Sequence, residues 1–317
     1  VFGIVDLGVR HVKNGDNSLS SLSSNGVNTS RLGFRGIEDL GDGLKGGFWL
    51  ETGLNPDTGT SSDSTRFWNR RATASLIGGF GELRLGRDYT PTYTGFSDYD
   101  AFGSNGVGAT DKFASALGTT ADTITRADNQ ASYFLPSNLG GVYGQASVAA
   151  GEGVSGKKYY GGRVGYAAGP LDVSVSYGQT TVTPLAGTDD KFKFANVGAA
   201  YDFRVLKLTG FYSEMKVGSQ KLDVTNLGAL IPAGPGSVRV GYIHANAKGN
   251  GTDSNDANQV ALGYLYDMSK RTSLYATAAR VNNKGNARFV VDGNPALPNP
   301  NPASDSTGYE VGMRHRF

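Results

Sequence analysis

The chain has 317 residues, 47 of them glycine, about twice the usual share; charged residues make up 18%, hydrophobic residues 38%, and the formal net charge is +2. Glycine costs about 1 kcal/mol at each helix position, which excludes a large helical protein, while the 33 aromatics spread along the chain exclude disorder. Cysteine is absent, which removes disulfides, cysteine-ligated zinc and thiol catalysis, and no block of like charge offers a nucleic-acid surface.

The chain opens at Val1 in strand-like sequence without a secretory signal and reads as a mature or trimmed chain. Alternation and turn chemistry predict sixteen strands, over residues 1–12, 29–39, 44–54, 65–78, 81–89, 125–135, 141–150, 157–168, 171–181, 190–201, 204–216, 219–231, 237–247, 256–267, 272–282 and 305–317. The last is the clearest: Tyr309, Val311, Met313, His315 and Phe317 share one face, and Glu310, Gly312, Arg314 and Arg316 the other. Short turns such as Leu40-Gly41-Asp42-Gly43 and Ala168-Gly169-Pro170 alternate with long polar segments at 13–28, 55–65, 90–125 and 283–305. The longest charge-free run, Asn129–Gly151, contains Asn, Gln, Pro and four glycines, so it is no membrane helix.

Short turns at one end and long loops at the other describe an all-β, 16-stranded antiparallel transmembrane β-barrel. A soluble sandwich would alternate as well. The barrel is favoured by aromatics at strand ends (Phe80, Tyr166, Tyr201, Phe203, Tyr264, Tyr266, Phe317), by an arginine-rich polar face and by a terminal outward Phe. The even strand count puts both termini on the periplasmic side. The whole chain, 1–317, reads as one barrel domain. Its third loop, about 90–124, is the longest stretch without alternation. Tyr93, Phe96, Tyr99 and Phe102 suit it to dock against the inner wall and narrow the lumen; the plainer reading is an exposed extracellular loop.

Several segments carry a resemblance: Phe2-Gly3-Ile4-Val5-Asp6, Ser30–Gly41, Gly79–Arg87, Pro235–Tyr242 and the ending Val311-Gly312-Met313-Arg314-His315-Arg316-Phe317. With them the chain resembles the Gram-negative general-diffusion porins, and among these the anion-selective outer-membrane porins of β-proteobacteria. The resemblance implies an outer-membrane homotrimer of 16-stranded barrels, each with a third loop folded into its lumen. Its surroundings would be lipid and lipopolysaccharide, and its lumen would hold small anions and polar solutes. Such porins usually carry a few more residues before Phe2.

Parity places Arg31, Arg35, Arg70 and Arg126 inside the barrel, with Glu51 inward near the extracellular end of its strand. Arg31, Arg70, Arg126 and Glu51 also match the charged constriction of the resembled porins. Asp98 and Asp100 are the candidate opposing acids on the third loop. By parity the other inward bases are Arg10, Arg66, Arg84, Arg163, Lys193, Lys207, Arg239, Arg280, Arg314 and Arg316. The other inward acids are Asp6, Glu82, Asp88, Asp128, Asp172 and Glu310. Arginine stays protonated in such company, so the lumen is expected to be basic and anion-selective. The plainer reading is a solvated polar wall. Arg87 shares the face of Leu83 and Leu85, the outside, where the resemblance implies a subunit contact, with Asp57 or Asp63 of the neighbour's second loop as partner. The alternative is Arg87 reaching to the rim.

Two G-x-G-x-x-G matches, at Gly41–Gly46 and Gly151–Gly156, lie between strands and read as turns rather than nucleotide loops. The three histidines form no Ser–His–acid set, so no enzyme and no cofactor is expected. Asp253 and Asp256 read as solvated loop charge before calcium ligands. The functional expectation is passive diffusion of small hydrophilic solutes with anion preference. The alternatives are a substrate-specific channel for phosphate or an organic acid, and a soluble β protein, which would purify without detergent.

Overall fold

The computed structural model describes residues 1–183, 190–291 and 297–317. Its strands are β1 (Phe2–Asn14), β2 (Asn17–Ser24), β3 (Arg31–Gly41), β4 (Leu44–Asn55), β5 (Thr60–Ser61), β6 (Arg71–Gly78), β7 (Gly81–Tyr89), β8 (Arg126–Phe134), β9 (Val142–Ala149), β10 (Tyr159–Ala168), β11 (Leu171–Thr181), β12 (Lys191–Asp202), β13 (Lys207–Val217), β14 (Gln220–Ala233), β15 (Gly236–Lys248), β16 (Ala257–Asp267), β17 (Thr272–Asn283) and β18 (Ser306–Arg316). Neighbours are antiparallel, and β1 pairs with β18 from Ile4↔Arg316 to Asn14↔Ser306, which closes the sheet. β2 and β3 share one place in the wall, since β1 pairs with β2 along Leu7–Asn14 and with β3 along Phe2–Ile4. β5 pairs only with the end of β4. The closed barrel therefore has sixteen strands.

Two expectations are corrected. Residues 13–28 are not a long loop: the chain turns at Gly15, where φ is +58°, and returns as β2. The serine-rich run 18–24 lacks apolar alternation, which hid the strand. Only residues 25–30 leave the ladder, and their amides find a different acceptor. The buried Asp6 carboxylate takes Gly26 N–H (3.1 Å), Val27 N–H (3.0 Å), Asn28 N–H (2.7 Å) and the Tyr275 hydroxyl (2.7 Å). The fourth predicted strand starts at Arg71 rather than 65, because Asp63 draws Thr65 and Arg66 N–H into a local turn. Of the long segment 283–305, residues 292–296 lie outside the described residues.

The faces are inverted relative to a soluble protein. Val175 pairs with Val197 and Val240 with Leu262, and all four are exposed. Ser174, Ser176, Asn196, Thr209 and Gln259 point inward and are covered. Polar inside and apolar outside is the pattern for lipid around a wet interior. Exposed Phe80, Tyr166, Tyr201, Phe203, Tyr266 and Phe317 ring the end where the short turns lie, as expected, while Tyr264 is half-buried with its hydroxyl on Ala233 O.

Inward glycines serve as sockets for rings. A Cβ at Gly198 would sit 2.1 Å from Tyr99, one at Gly312 2.3 Å from Tyr275, and one at Gly241 3.0 Å from Phe102. The glycine excess thus lets aromatic rings approach the wall.

Candidate functional site

The third loop leaves β7 at Thr90 and enters helix α1 (Pro91–Ser97). Pro91 suits the first turn, and the Thr90 hydroxyl accepts from Tyr93 N–H. The loop then crosses the lumen. Phe96 lies between Phe194 and Phe211, and Phe102, Val107 and Phe113 are as buried as any core residue. Burying side chains of this size stabilises the dock by about 1.5–3 kcal/mol each. Polar ties complete it. Glu310 accepts from Val107 N–H (3.0 Å), and Lys112 donates to Val107 O (2.7 Å), to Gln259 (2.8 Å) and to Val291 O. The Tyr99 hydroxyl reaches Asp172 at 3.0 Å.

The loop acids expected to oppose the arginines are placed elsewhere. Asp98 caps the end of α1 and pairs with Arg163 on β10 at 2.6 Å. Asp100 is buried and accepts from Phe102, Ser104 and Thr110 N–H at 2.9, 3.0 and 3.0 Å, so its charge organises its own loop. The acid that faces the arginines is Asp111, exposed at the start of a 3-10 turn (Asp111–Phe113). Sequence reasoning missed it because nothing in a non-alternating loop marks which side chain points outward from the dock.

Across from the loop stands the basic wall. Arg31 Nη1 lies 3.3 Å and Arg70 Nε 2.6 Å from the same oxygen of Glu51, whose other oxygen accepts from Trp49 Nε1 (3.2 Å). Arg70 Nη2 bonds the Tyr89 hydroxyl (3.2 Å). Arg126 lies 4.1 Å over the Tyr89 ring and donates to Arg70 O (2.8 Å), and Tyr93 stacks on Tyr89 at 5.0 Å. Burial pushes the Tyr93 hydroxyl well above its usual range, so it remains a neutral donor. Thr29, Arg70, Tyr93, Ser104, Asp111 and Arg126 line a space of about 340 Å³. Towards the other mouth, Arg35 and Arg71 flank Trp49, at 4.9 and 4.3 Å from its ring, and Arg84 pairs with Glu82 and Asp88, both at 2.8 Å. Four of these six arginines pair with three wall carboxylates, Arg31 and Arg70 with Glu51, Arg71 with Asp88 and Arg84 with Glu82 and Asp88, while Arg35 and Arg126 lie over aromatic rings.

Parity needs correction at four places. In β6 the inward row is Arg71, Thr73 and Ser75, with Thr73 opposite inward Trp49, so Arg71 belongs to the wall and was missed. The polar Thr73 and Ser75 against Ala72, Ala74 and Leu76 carried that signal. Arg70 reaches inward because it precedes the ladder, held by its N–H on Glu51 O (3.1 Å). In β8, three steps from Gln130 to Ala127 face two in β7 from Gly86 to Asp88, and Asn129 has φ +53°. This bulge turns Asp128 outward. Arg87 shares the outer row of Leu50 and Ala72 and pairs with Asp128 of its own chain at 2.6 Å, and Arg66 joins the same carboxylate at 3.2 Å. Arg66 and Asp128 therefore leave the lumenal count. Asp63, a candidate partner for Arg87 of a neighbouring subunit, lies 3.6 Å from Arg66 of its own chain. Lys193 and Arg280 also leave it, since inward Phe194 and Val281 fix the opposite parity; Arg280 pairs with Asp305.

Among the described residues, no group of three acids or histidines could hold a metal. A wider concavity of about 870 Å³ lies on the outer face, lined by Val164, Tyr166, Val175, Val197 and Leu227, and belongs to the lipid surface.

Residues 1–286 match the Gram-negative porin family. The chain is 40% identical to outer membrane porin protein 32 of Delftia acidovorans, covering all of this chain and 93% of that one. It superimposes on the anion-selective porin from Comamonas acidovorans with TM-score 0.88 and 35% identity, covering 100% and 98% of the two chains. It also shares its fold with the trimer form of Vibrio cholerae OmpT (TM-score 0.72, 16% identity, 100% and 98% covered). With a closed barrel that is apolar outside and charged within, the chain belongs to the Gram-negative porin family, as an outer-membrane channel protein rather than an enzyme.

Proposed function

We propose that the whole chain acts as one barrel domain, a water-filled channel for passive diffusion of small hydrophilic solutes, with anion preference set by Arg31, Arg70 and Arg126. The observation that carries this reading is that Arg31 and Arg70 share one carboxylate, Glu51, and that Arg126, bonded to Arg70 O and lying over Tyr89, lines with Arg70 a space of about 340 Å³. Arginines remain charged there, so the field is positive at the narrowest part and draws anions in. Glu51 acts as the counter-charge that lets Arg31 and Arg70 stand together, and Arg35 is a lower step of the same ladder. Asp98 and Asp100 act on the shape of the loop, and Asp111 as the opposing acid. The likeness to an anion-selective porin supports the reading. Reversal potentials across a salt gradient test it: an anion-favouring sign is expected, and a cation-favouring sign refutes it.

The Trp49 ring held between Arg35 and Arg71 favours a second reading, a channel specific for phosphate or an organic acid. Conductance that saturates with the concentration of such an anion, rather than rising with salt, selects it. We also propose a homotrimer in which Arg87 lies near the subunit contact, the remaining outer surface meeting lipid and lipopolysaccharide. Cross-linking in native membranes tests the oligomer.

A further inference from the structure

We propose that Arg239, Arg314 and Arg316 form a second oxyanion station on the periplasmic side of the third loop, one that takes sulfate, phosphate or a small dicarboxylate. The proposal rests on the anion-channel reading. Arg314 and Arg316 end β18, and Arg239 lies near the start of β15, so all three stand at the periplasmic ends of inward rows. Arg239 is opposite Gly263, whose open side receives the Phe102 ring of the loop. Arg314 is opposite the inward Asp6.

The three arginines have carboxylates near them but few direct carboxylate bonds. Arg314 Nη1 and Arg316 Nη2 converge on one neutral acceptor, Asn28 Oδ1, at 3.0 and 3.2 Å. Arg314 otherwise holds the Ser273 hydroxyl (2.6 Å) and reaches Asp267 only at 3.7 Å. Asp6 has its carboxylate filled by three amides and a tyrosine, and Asp100 is used by its own loop. Among the described residues, Nε of Arg239 and of Arg314 lacks an acceptor, and Arg239 stands within Coulombic reach of Asp100, Asp267 and Arg316 without bonding either carboxylate. The constriction differs, since its Glu51 is bonded directly. Forked donors that no carboxylate bonds at hydrogen-bond distance fit an anion with two or more charged oxygens. Arg316 is exposed and gives the anion its access. The insert 25–30 links the two stations, because Thr29 O accepts from Arg31 Nε (3.0 Å) while neighbouring Asn28 holds Arg314 and Arg316.

The test is sulfate added to the periplasmic side of the reconstituted channel while chloride current is recorded. Saturable block is expected for the wild type. Arg239→Gln/Arg316→Gln should raise the half-blocking concentration about tenfold or more, two charge-assisted contacts being lost, while Arg70→Ser leaves periplasmic block in place. Heat-dependent gel mobility verifies that each barrel is folded, and Arg239→Gln alone removes no hydrogen-bond partner and provides a second folded variant. Absence of block in an anion-selective wild type overturns the station and leaves the anion-channel reading standing. Block that survives the double substitution, or that Arg70→Ser abolishes, also overturns it. A cation-selective wild type overturns the anion-channel reading instead.

Discussion

Where the third loop covers β12–β17 the inner wall is dry, and Arg239 of β15 stands on the periplasmic side of that cover. Phe194, Phe211, Met215, Ile243 and Val281 lie under the third loop and are nearly inaccessible. Along β3–β8 the inner wall meets water and carries Arg31, Arg35, Arg70, Arg71, Arg84 and Arg126. One barrel thus holds a protein core on one side and an aqueous wall on the other, with the loop as the partition. The difference explains where the charges stand: a guanidinium in the packed half would lose its hydration without a partner, whereas on the wet side solvent and a few shared carboxylates are enough.

The sharpest way to break this contrast is to open the dry half. Phe96→Ala removes a fully buried ring from the loop dock and should cost about 3–5 kcal/mol of stability; thermal unfolding in detergent measures it, and single-channel conductance should rise with noisier current. Unchanged conductance would mean that the dock does not set the pore. Next is the wet half. Arg70→Ser/Arg126→Ser should lower the anion-to-cation permeability ratio about thirtyfold, since each of the two charges contributes about 1 kcal/mol at 4 Å in water. The loss should be larger in dilute salt than at 1 M, where the Debye length shrinks to about 3 Å. Glu51→Gln works in the opposite direction, raising anion preference about two- to fivefold by removing the shared counter-charge. The smallest effect belongs to the outer rim. Arg87→Ala breaks an ion pair with Asp128 and should change the stability of the barrel by about 1 kcal/mol or less, with selectivity untouched; an oligomer that keeps its heat resistance would argue against the place of Arg87 near the subunit contact.

Alternation made the wall legible, because an apolar outward row repeats along most strands; the serine-rich β2 lacks it. Most predicted spans lie within two or three residues of the observed ones. It failed where the backbone changes phase. A bulge at Asn129 turns Asp128 out, the late start of β6 brings Arg70 and Arg71 inward together, and the insert at 25–30 offsets β2 from β3. Such breaks leave little trace in a hydrophobic pattern, since one extra residue changes no composition. The loop was legible as a loop with aromatic anchors. Its acids were not, because Asp98, Asp100 and Asp111 differ in which amides and bases surround them, and that is decided only when Phe96, Phe102 and Phe113 are seated.

The loop's ties reach Arg163 and Asp172 at one end and Gln259 and Glu310 at the other. It therefore spans the barrel as a transverse brace, and the opening is whatever the brace leaves free. Permeability and stiffness are coupled for that reason. A variant selected to pass larger solutes must shorten or loosen the brace, and it gives up mechanical resilience of the wall in the same step. A variant selected for a tougher wall should pass solutes more slowly.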